Sequence, residues 1–373
     1  MKIAAIAPSQ VPSRTANSIQ VMKTCNSLAQ IGHEVCLWVP GKGSSEWNNL
    51  SNQYGLSTEF KVQWIPSIRL LRKYDFSVKA LSRAEKWGAD VVYTWLPQVA
   101  EFALRRGTPA LLEMHDLPTG AFGPGYFKRF AGHEGKKRLL VITDALRKRL
   151  EAFSGIQFSP REVAMAPNGV DFERFSNQPG ARKARKQLGL LEQLTAVFSG
   201  HFYVGRGTSL LLELARRFPN IHFLWVGGRD EDVTSWRDRI KTEGLENITL
   251  TGFIPNQQLP LYLAAGDFLL MPYERSIAGS SGGNSVEICS PMKMFEYMAT
   301  GRVILSSDLP VIHEVLNEKN AIFCTPEDVD SWASALESLV KNPGLRTRLA
   351  RKAQTDARKY AWEQRAKTAM KGF

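Results

Sequence analysis

Ser290-Pro291-Met292-Lys293-Met294-Phe295-Glu296-Tyr297-Met298-Ala299-Thr300-Gly301 reads as one complete helix with stop signals at both ends. Ser290 is of a type that caps helix N-termini, Pro291 fits the first helical position, and Gly301 suits the left-handed residue that ends a helix. Upstream lies an apolar run, Phe268-Leu269-Leu270-Met271, and then a loop containing Gly279, Gly282 and Gly283. Strand, glycine loop and helix predict a β-α unit whose helix start offers backbone N–H groups and about half a positive charge to an anion. Met292 and Lys293 would present those N–H groups to a diphosphate, and Glu296, one turn on, would accept two ribose hydroxyls. The same residues also fit a surface helix carrying a Lys293–Glu296 pair at i,i+3.

Working outward, the pattern repeats. Strand candidates in the second half are residues 195–199, 221–226, 248–251, 268–271, 303–306 and 321–324. In the first half they are 3–7, 34–39, 91–95, 110–114, 139–142 and 163–166, with a helix over 18–31 ended by Gly32. Strands alternating with amphipathic helices predict an α/β protein with parallel sheets covered on both faces. The 373 residues suffice for about two such domains. Residues 175–186 are polar, with Gln178-Pro179-Gly180 and a basic run, and read as a linker between them. Ligands of open α/β sheets bind beyond the carboxyl ends of the strands, so the chemistry is expected in the loops that follow strands.

Composition sets further bounds. Four scattered cysteines, Cys25, Cys36, Cys289 and Cys324, lack zinc or disulfide spacing and predict a reducing compartment, the cytoplasm. The start, Met1-Lys2-Ile3-Ala4-Ala5-Ile6-Ala7-Pro8, reads as a buried strand rather than a secretory leader, being short and without a cleavage site. No apolar run reaches the ~18 residues of a membrane helix. Net charge is +12, and residues 61–150 hold 17 Lys and Arg against 8 Asp and Glu. That surplus suits an anionic membrane face, nucleic acid, an anionic small molecule, or simply a solvated basic surface. Arg69-Leu70-Leu71-Arg72-Lys73 and Lys128-Arg129, near Phe76 and Phe127, are the clusters that favour peripheral contact with a membrane. Two Asp-x-Asp strings, Asp230-Glu231-Asp232 and Asp328-Val329-Asp330, each precede a helix; Asp330 reads as an N-cap, and no metal site is expected at either.

With these residues in place, the chain resembles the large retaining GT-B glycosyltransferase family that includes sucrose synthase and bacterial mannosyl- and glucosyltransferases. The resemblance rests first on the Ser290–Gly301 helix, which is similar to a Ser-Pro-x-Lys-x-Phe-Glu-Tyr-Met-Ala variant in that family. It extends through His115-Asp116, Pro167-Asn168-Gly169-Val170-Asp171, Leu250-Thr251-Gly252-Phe253-Ile254-Pro255 and Tyr360-Ala361-Trp362-Glu363-Gln364-Arg365-Ala366, in the family's order. It implies two Rossmann-like, doubly wound domains facing a central cleft. The acceptor-side domain would occupy 1–175, the nucleotide-sugar domain 176–355, and a final helix, 356–373, would cross back to the first domain.

The resemblance also implies roles. Gly252, Phe253 and Ile254 would meet the base, while Ser290, Met292, Lys293 and Glu296 would hold diphosphate and ribose. His115 would stand near the transferred sugar. In Ser199-Gly200-His201-Phe202-Tyr203-Val204-Gly205-Arg206-Gly207, the family's two diphosphate cations correspond to His201 and Arg206. Arg206 is a sound replacement, since a guanidinium grips phosphate oxygens bidentately, and it joins His115 as a candidate catalytic residue. His201 is a departure: a neutral imidazole donates a hydrogen bond rather than a full charge. In place of the paired glycines of many relatives, the first loop reads Pro12-Ser13-Arg14-Thr15-Ala16-Asn17-Ser18. Asn17 and Ser18 there fit an acceptor-side role, or simply a helix cap. Counting eight positions back from Glu296 for the family's first acid lands on Ile288, and Glu287 reaches that place only if the glycine loop bulges.

The function implied is metal-independent hexosyl transfer with retention, from a UDP- or GDP-sugar co-substrate and without a cofactor, to a glycan, lipid-linked or small-molecule acceptor. Competing readings are a GT-B nucleotide-sugar epimerase and a basic protein that binds nucleic acid or a membrane surface. A nicotinamide enzyme is disfavoured because no Gly-x-Gly-x-x-Gly follows the first strand. Nucleic acid is disfavoured because no zinc finger or aromatic RNA-binding signature appears.

Overall fold

The structure, a computed structural model, describes residues 1–71, 73–277 and 285–373, with Arg69 described by its backbone alone. The chain divides into two compact units, Met1–Asn168 with Trp362–Phe373, and Gly169–Ala361.

The first unit contains β1 (Lys2–Ile6), β2 (Glu34–Pro40), β3 (Lys61–Ile65), β4 (Val91–Thr94), β5 (Ala110–Met114), β6 (Lys137–Val141) and β7 (Val163–Met165). They form one parallel sheet in the order β3-β2-β1-β4-β5-β6-β7. Ile3, Ala4, Ala5 and Ile6 are fully buried, as expected of a central parallel strand with both faces covered. Strand β3 is absent from the sequence candidates. Lys61-Val62-Gln63-Trp64-Ile65 alternates polar and apolar residues and forms the edge of the sheet beside β2, so it lacks the continuous apolar run of its neighbours. Ala366, Ala369 and Met370 of the last helix, Trp362–Met370, pack into this unit's core beside Val21, Leu37 and Tyr93.

The second unit contains β8 (Thr195–Gly200), β9 (His222–Gly227), β10 (Ile248–Leu250), β11 (Phe268–Met271), β12 (Val303–Ser307) and β13 (Ile322–Cys324). Its parallel sheet runs β10-β9-β8-β11-β12-β13 around a core that includes Phe198, Trp225, Phe268 and Trp332. Both sheets reverse strand order beside their first strand, and ligands of such sheets bind at that switch.

Several local expectations are corrected. The polar stretch 175–186 is not an extended linker: helices Phe172–Ser176 and Ala181–Gln187 occupy it. Buried Phe175 and Arg185, whose guanidinium donates to Ala265 O and Asp267 Oδ2, tie them to the second unit. The first long helix is Ala16–Gln30, and its cap is Thr15, whose Oγ1 accepts from Ser18 N, rather than Asn17 or Ser18. Pro291, extended at φ −68° and ψ 127°, sits at the cap of helix Met292–Thr300, which leaves Ser290 one step outside it. Asp328, not Asp330, caps helix Val329–Lys341 by accepting from Asp330 N and Ser331 N.

Candidate functional site

In the second unit, three glycines lie at the carboxyl ends of adjacent strands: Gly200 on β8, Gly227 on β9 and Gly252 just after β10. Gly227 N donates to Gly252 O at 3.0 Å, and Gly228 N donates to Gly200 O at 2.9 Å. A Cβ at Gly227 would stand 2.6 Å from Gly200 O, and one at Gly200 would stand 3.0 Å from Lys293 Nζ. Lys293 approaches this backbone because its helix is pinned to β8: the Tyr297 hydroxyl accepts from Ser199 N at 2.8 Å. Its ammonium lies 4.0 Å from the centroid of the Phe198 ring and 5.4 Å from that of Tyr273. Burial, reinforced by Arg206 and opposed by Glu296, pushes Lys293 well below the usual lysine range.

The turn after β8 carries the second cation. Gly205 and Gly207 have φ of +92° and +72°, and a Cβ at Gly207 would meet Pro272 O at 2.0 Å, so the turn packs against the segment that leaves β11. Glu274 fastens it, its carboxylate accepting from Gly207 N and its own N donating to Gly205 O, both at 3.2 Å. Arg206 is thereby held between two phenol rings, 4.8 Å from the Tyr203 centroid and 5.0 Å from that of Tyr273, and donates to Tyr203 Oη. His201 stacks on the same Tyr203 at 5.6 Å, and Arg229, from the end of β9, lies 5.7 Å from that ring. Among the described residues, buried His201 Nδ1 and Arg206 Nε have no hydrogen-bond partner. Cationic groups thus converge on one sheet end, and such an arrangement is chemically suited to a phosphate-bearing ligand.

Sequence reading brought His201, Arg206, Lys293 and Gly252 to this end of the sheet. Glu296 sits one turn along the same helix from Lys293, and Met292 opens that helix. Phe253 and Ile254, both half-buried, follow Gly252. Ser290 is buried. Glu287 is exposed in the turn that precedes Ser290, while neighbouring Ile288 is buried. The loop glycines Gly279, Gly282 and Gly283 lie outside the described residues. Arg229, Tyr203 and Tyr273 were missed. Gly227-Gly228-Arg229 repeats at β9 the glycine–cation pattern seen after β8, and that signal would have found Arg229.

In the first unit, His115 follows β5, its side chain 29% exposed, with Nε2 at 2.6 Å from Glu113 Oε1. That oxygen also accepts from Gln20 Nε2 and from Arg365 Nη2, each at 2.6 Å, while the Tyr93 hydroxyl donates to Oε2. Burial alone would raise this carboxyl, but the Arg365 guanidinium, aided by His115 and Tyr93, holds Glu113 at about 2. The carboxylate fixes the imidazole at the strand end. A carboxylate inside Ala110-Leu111-Leu112-Glu113-Met114 was the overlooked signal, since a buried acid requires partners. The Ser18 hydroxyl is bonded to Tyr54 Oη at 2.6 Å and buried, so packing accounts for it. Asn17 is exposed, and its Oδ1 accepts from Ser9 Oγ.

Comparison with known proteins agrees with this architecture. Residues 18–174 match the family model described as Glycosyltransferase Family 4, and residues 193–342 match that described as Glycosyl transferases group 1. The chain therefore belongs to the glycosyltransferases of GT-B fold. The phosphatidyl-myo-inositol mannosyltransferase of Mycolicibacterium smegmatis is 23% identical over 380 residues, covering 97% of this chain and 90% of the relative. Two solved structures share the fold. The HepE protein of Anabaena in complex with UDP-glucose gives a TM-score of 0.72 at 15% identity, over 99% of this chain and 98% of that one. Sucrose-phosphate synthase of Thermosynechococcus elongatus gives 0.73 at 18%, over 98% and 96%. Among the described residues no helix is long and apolar enough to cross a membrane.

Proposed function

We propose that this glycosyltransferase moves a hexosyl group from a UDP- or GDP-sugar to a hydroxyl of a glycan, lipid-linked or small-molecule acceptor, without a metal ion and with retention at the anomeric carbon. The carrying observation is the convergence of Lys293, Arg206 and Arg229 on the glycine-lined end of the second sheet. In this reading these cations and the N–H groups at Met292 and Lys293 stabilise the charge that grows on the leaving diphosphate. The bond from the anomeric carbon to the phosphate oxygen breaks, and its electron pair leaves with the nucleoside diphosphate. The acceptor oxygen bonds to that carbon and gives its proton to the leaving phosphate. Glu296 holds the ribose, and Gly252 to Ile254 meet the base.

Metal independence is supported by the cations taking the metal's charge-neutralising part, and by the Asp-x-Asp strings serving as helix first-turn and cap residues. Retention follows from the family resemblance. The mannosyltransferase relative favours transfer over epimerisation. Thermal-shift screening of nucleoside diphosphates and their sugars, with and without chelator, tests the reading. A ligand at a hundredfold its Kd adds about 2.7 kcal/mol. Stabilisation by a UDP- or GDP-sugar in chelator is expected, and stabilisation only with added divalent metal would refute metal independence.

A second reading concerns the surface of the first unit, where we infer peripheral contact with an anionic membrane. Phe76 and Phe127, the aromatics expected to take part, are fully buried and cannot. Instead Leu70 is 88% exposed and Phe122 64% exposed, and Phe122 stacks edge-on against Tyr74, which follows basic Lys73. Arg72 lies outside the described residues.

A further inference from the structure

His201 occupies a position where a permanent cation would serve a diphosphate better, and its surroundings explain what an imidazole does there. Tyr203 and Arg206 face it from its own turn, Arg229 and Asp232 from the end of β9 and the helix Asp230–Thr242, and Lys293 from the helix Met292–Thr300. Two permanent cations, Arg206 and Arg229, and the buried Lys293 therefore surround one titratable ring. The acid among them, Asp232, has its Oδ2 3.9 Å from Arg229 Nε. Nδ1 is buried without a partner among the described residues.

We propose that His201 is a proton-coupled ligand of the donor diphosphate, neutral in the unliganded protein and protonated when the anion binds. This rests on the donor reading given above. In the unliganded protein an imidazolium at this place would be half-buried beside like charges. Burial first, then Arg229, Arg206 and Lys293, push the ring below the usual histidine range, with Asp232 opposing. A bound diphosphate reverses the field, and both ring nitrogens then donate. The proton comes from solvent. By linkage, donor affinity is highest below the ring's unliganded pKa. It falls as pH rises, by at most tenfold per pH unit, and levels off above the ring's liganded pKa. The site thus senses pH through donor affinity.

The test is titration calorimetry of the full chain with UDP-glucose and GDP-mannose near pH 7, in buffers of different ionisation enthalpy. The diphosphates of these sugars keep a fixed charge in this range, so proton uptake reports the protein. Uptake by the wild type is expected. It should disappear in His201→Asn and in His201→Arg, the latter binding with a flat pH profile, and persist in Lys293→Arg. Binding without uptake, or uptake lost in Lys293→Arg and kept in both His201 variants, would overturn the proposal while leaving the donor reading intact. If neither sugar binds the wild type, the donor reading falls and this inference falls with it.

Discussion

Arg365 and Glu113 form a buried ion pair, Nη2 to Oε1 at 2.6 Å, which ties the last helix of the chain to the centre of the first unit's sheet. The guanidinium also donates to Pro167 O and Ala166 O, so the carboxylate and two backbone carbonyls share one side chain. Removing one partner leaves the other charge buried and uncompensated, which typically costs about 3–5 kcal/mol. Arg365→Met is predicted to lose about that much in urea denaturation, and Glu113→Gln combined with Arg365→Met to recover part of it.

The same pair predicts an acid limit. Glu113 is held at about 2 against an ordinary 4.5, so its stabilising contribution is complete above pH 4.5 and is lost as pH falls through 2. Stability measured between pH 5 and 2 is expected to fall less steeply in Glu113→Gln than in the wild type. Equal slopes would contradict the assignment.

Gly207 tests the turn that presents Arg206. Its φ is +72°, and a Cβ added there would stand 2.0 Å from Pro272 O, so a side chain has no room. Gly207→Ala is predicted to fold but to weaken donor binding at least tenfold by displacing Arg206, measured as nucleotide-sugar affinity. Unchanged affinity would show that the turn does not position the cation.

Much of this was legible in the sequence, and what was missed has a common cause. Continuous apolar runs such as Phe268-Leu269-Leu270-Met271 announced the central strands, whereas β3, half polar at the sheet edge, lacked that run. Thr15 and Pro291 took cap positions read as belonging to neighbours one to three residues away, because several residues in each loop can cap and only backbone geometry selects one. Lys293 and Arg206 were found since each belongs to a local motif. Glu113 with Arg365, and Tyr203 with Arg229, act through partners distant in sequence, which no local spacing reveals.

Glu287 and Glu296 separate two ways of gripping the donor. Glu287 is exposed beside the buried Ile288 that occupies the counted position, while Glu296 lies one turn from Lys293. Glu287→Gln is expected to lower activity less than tenfold and Glu296→Gln more, since a charged hydrogen bond contributes about 1.5–3 kcal/mol. A loss of a hundredfold in Glu287→Gln with nucleotide binding intact would transfer the sugar contact to Glu287.

The exposed apolar residues of the first unit give a membrane prediction. Sedimentation with vesicles containing anionic lipid at low salt should recover more wild-type protein than sedimentation with neutral vesicles. Leu70→Glu with Phe122→Glu should abolish the difference. Equal recovery of wild type from both vesicles would rule the contact out.

Every donor-site prediction depends on Arg206 gripping the diphosphate of a nucleotide sugar. Calorimetric affinity of UDP-glucose and GDP-mannose for the wild type and for folded Arg206→Ala tests it most directly. The sugar that binds the wild type is expected to bind Arg206→Ala about ten- to a hundredfold more weakly, through the loss of one charged hydrogen-bonding partner. Equal affinity in the two proteins would contradict it.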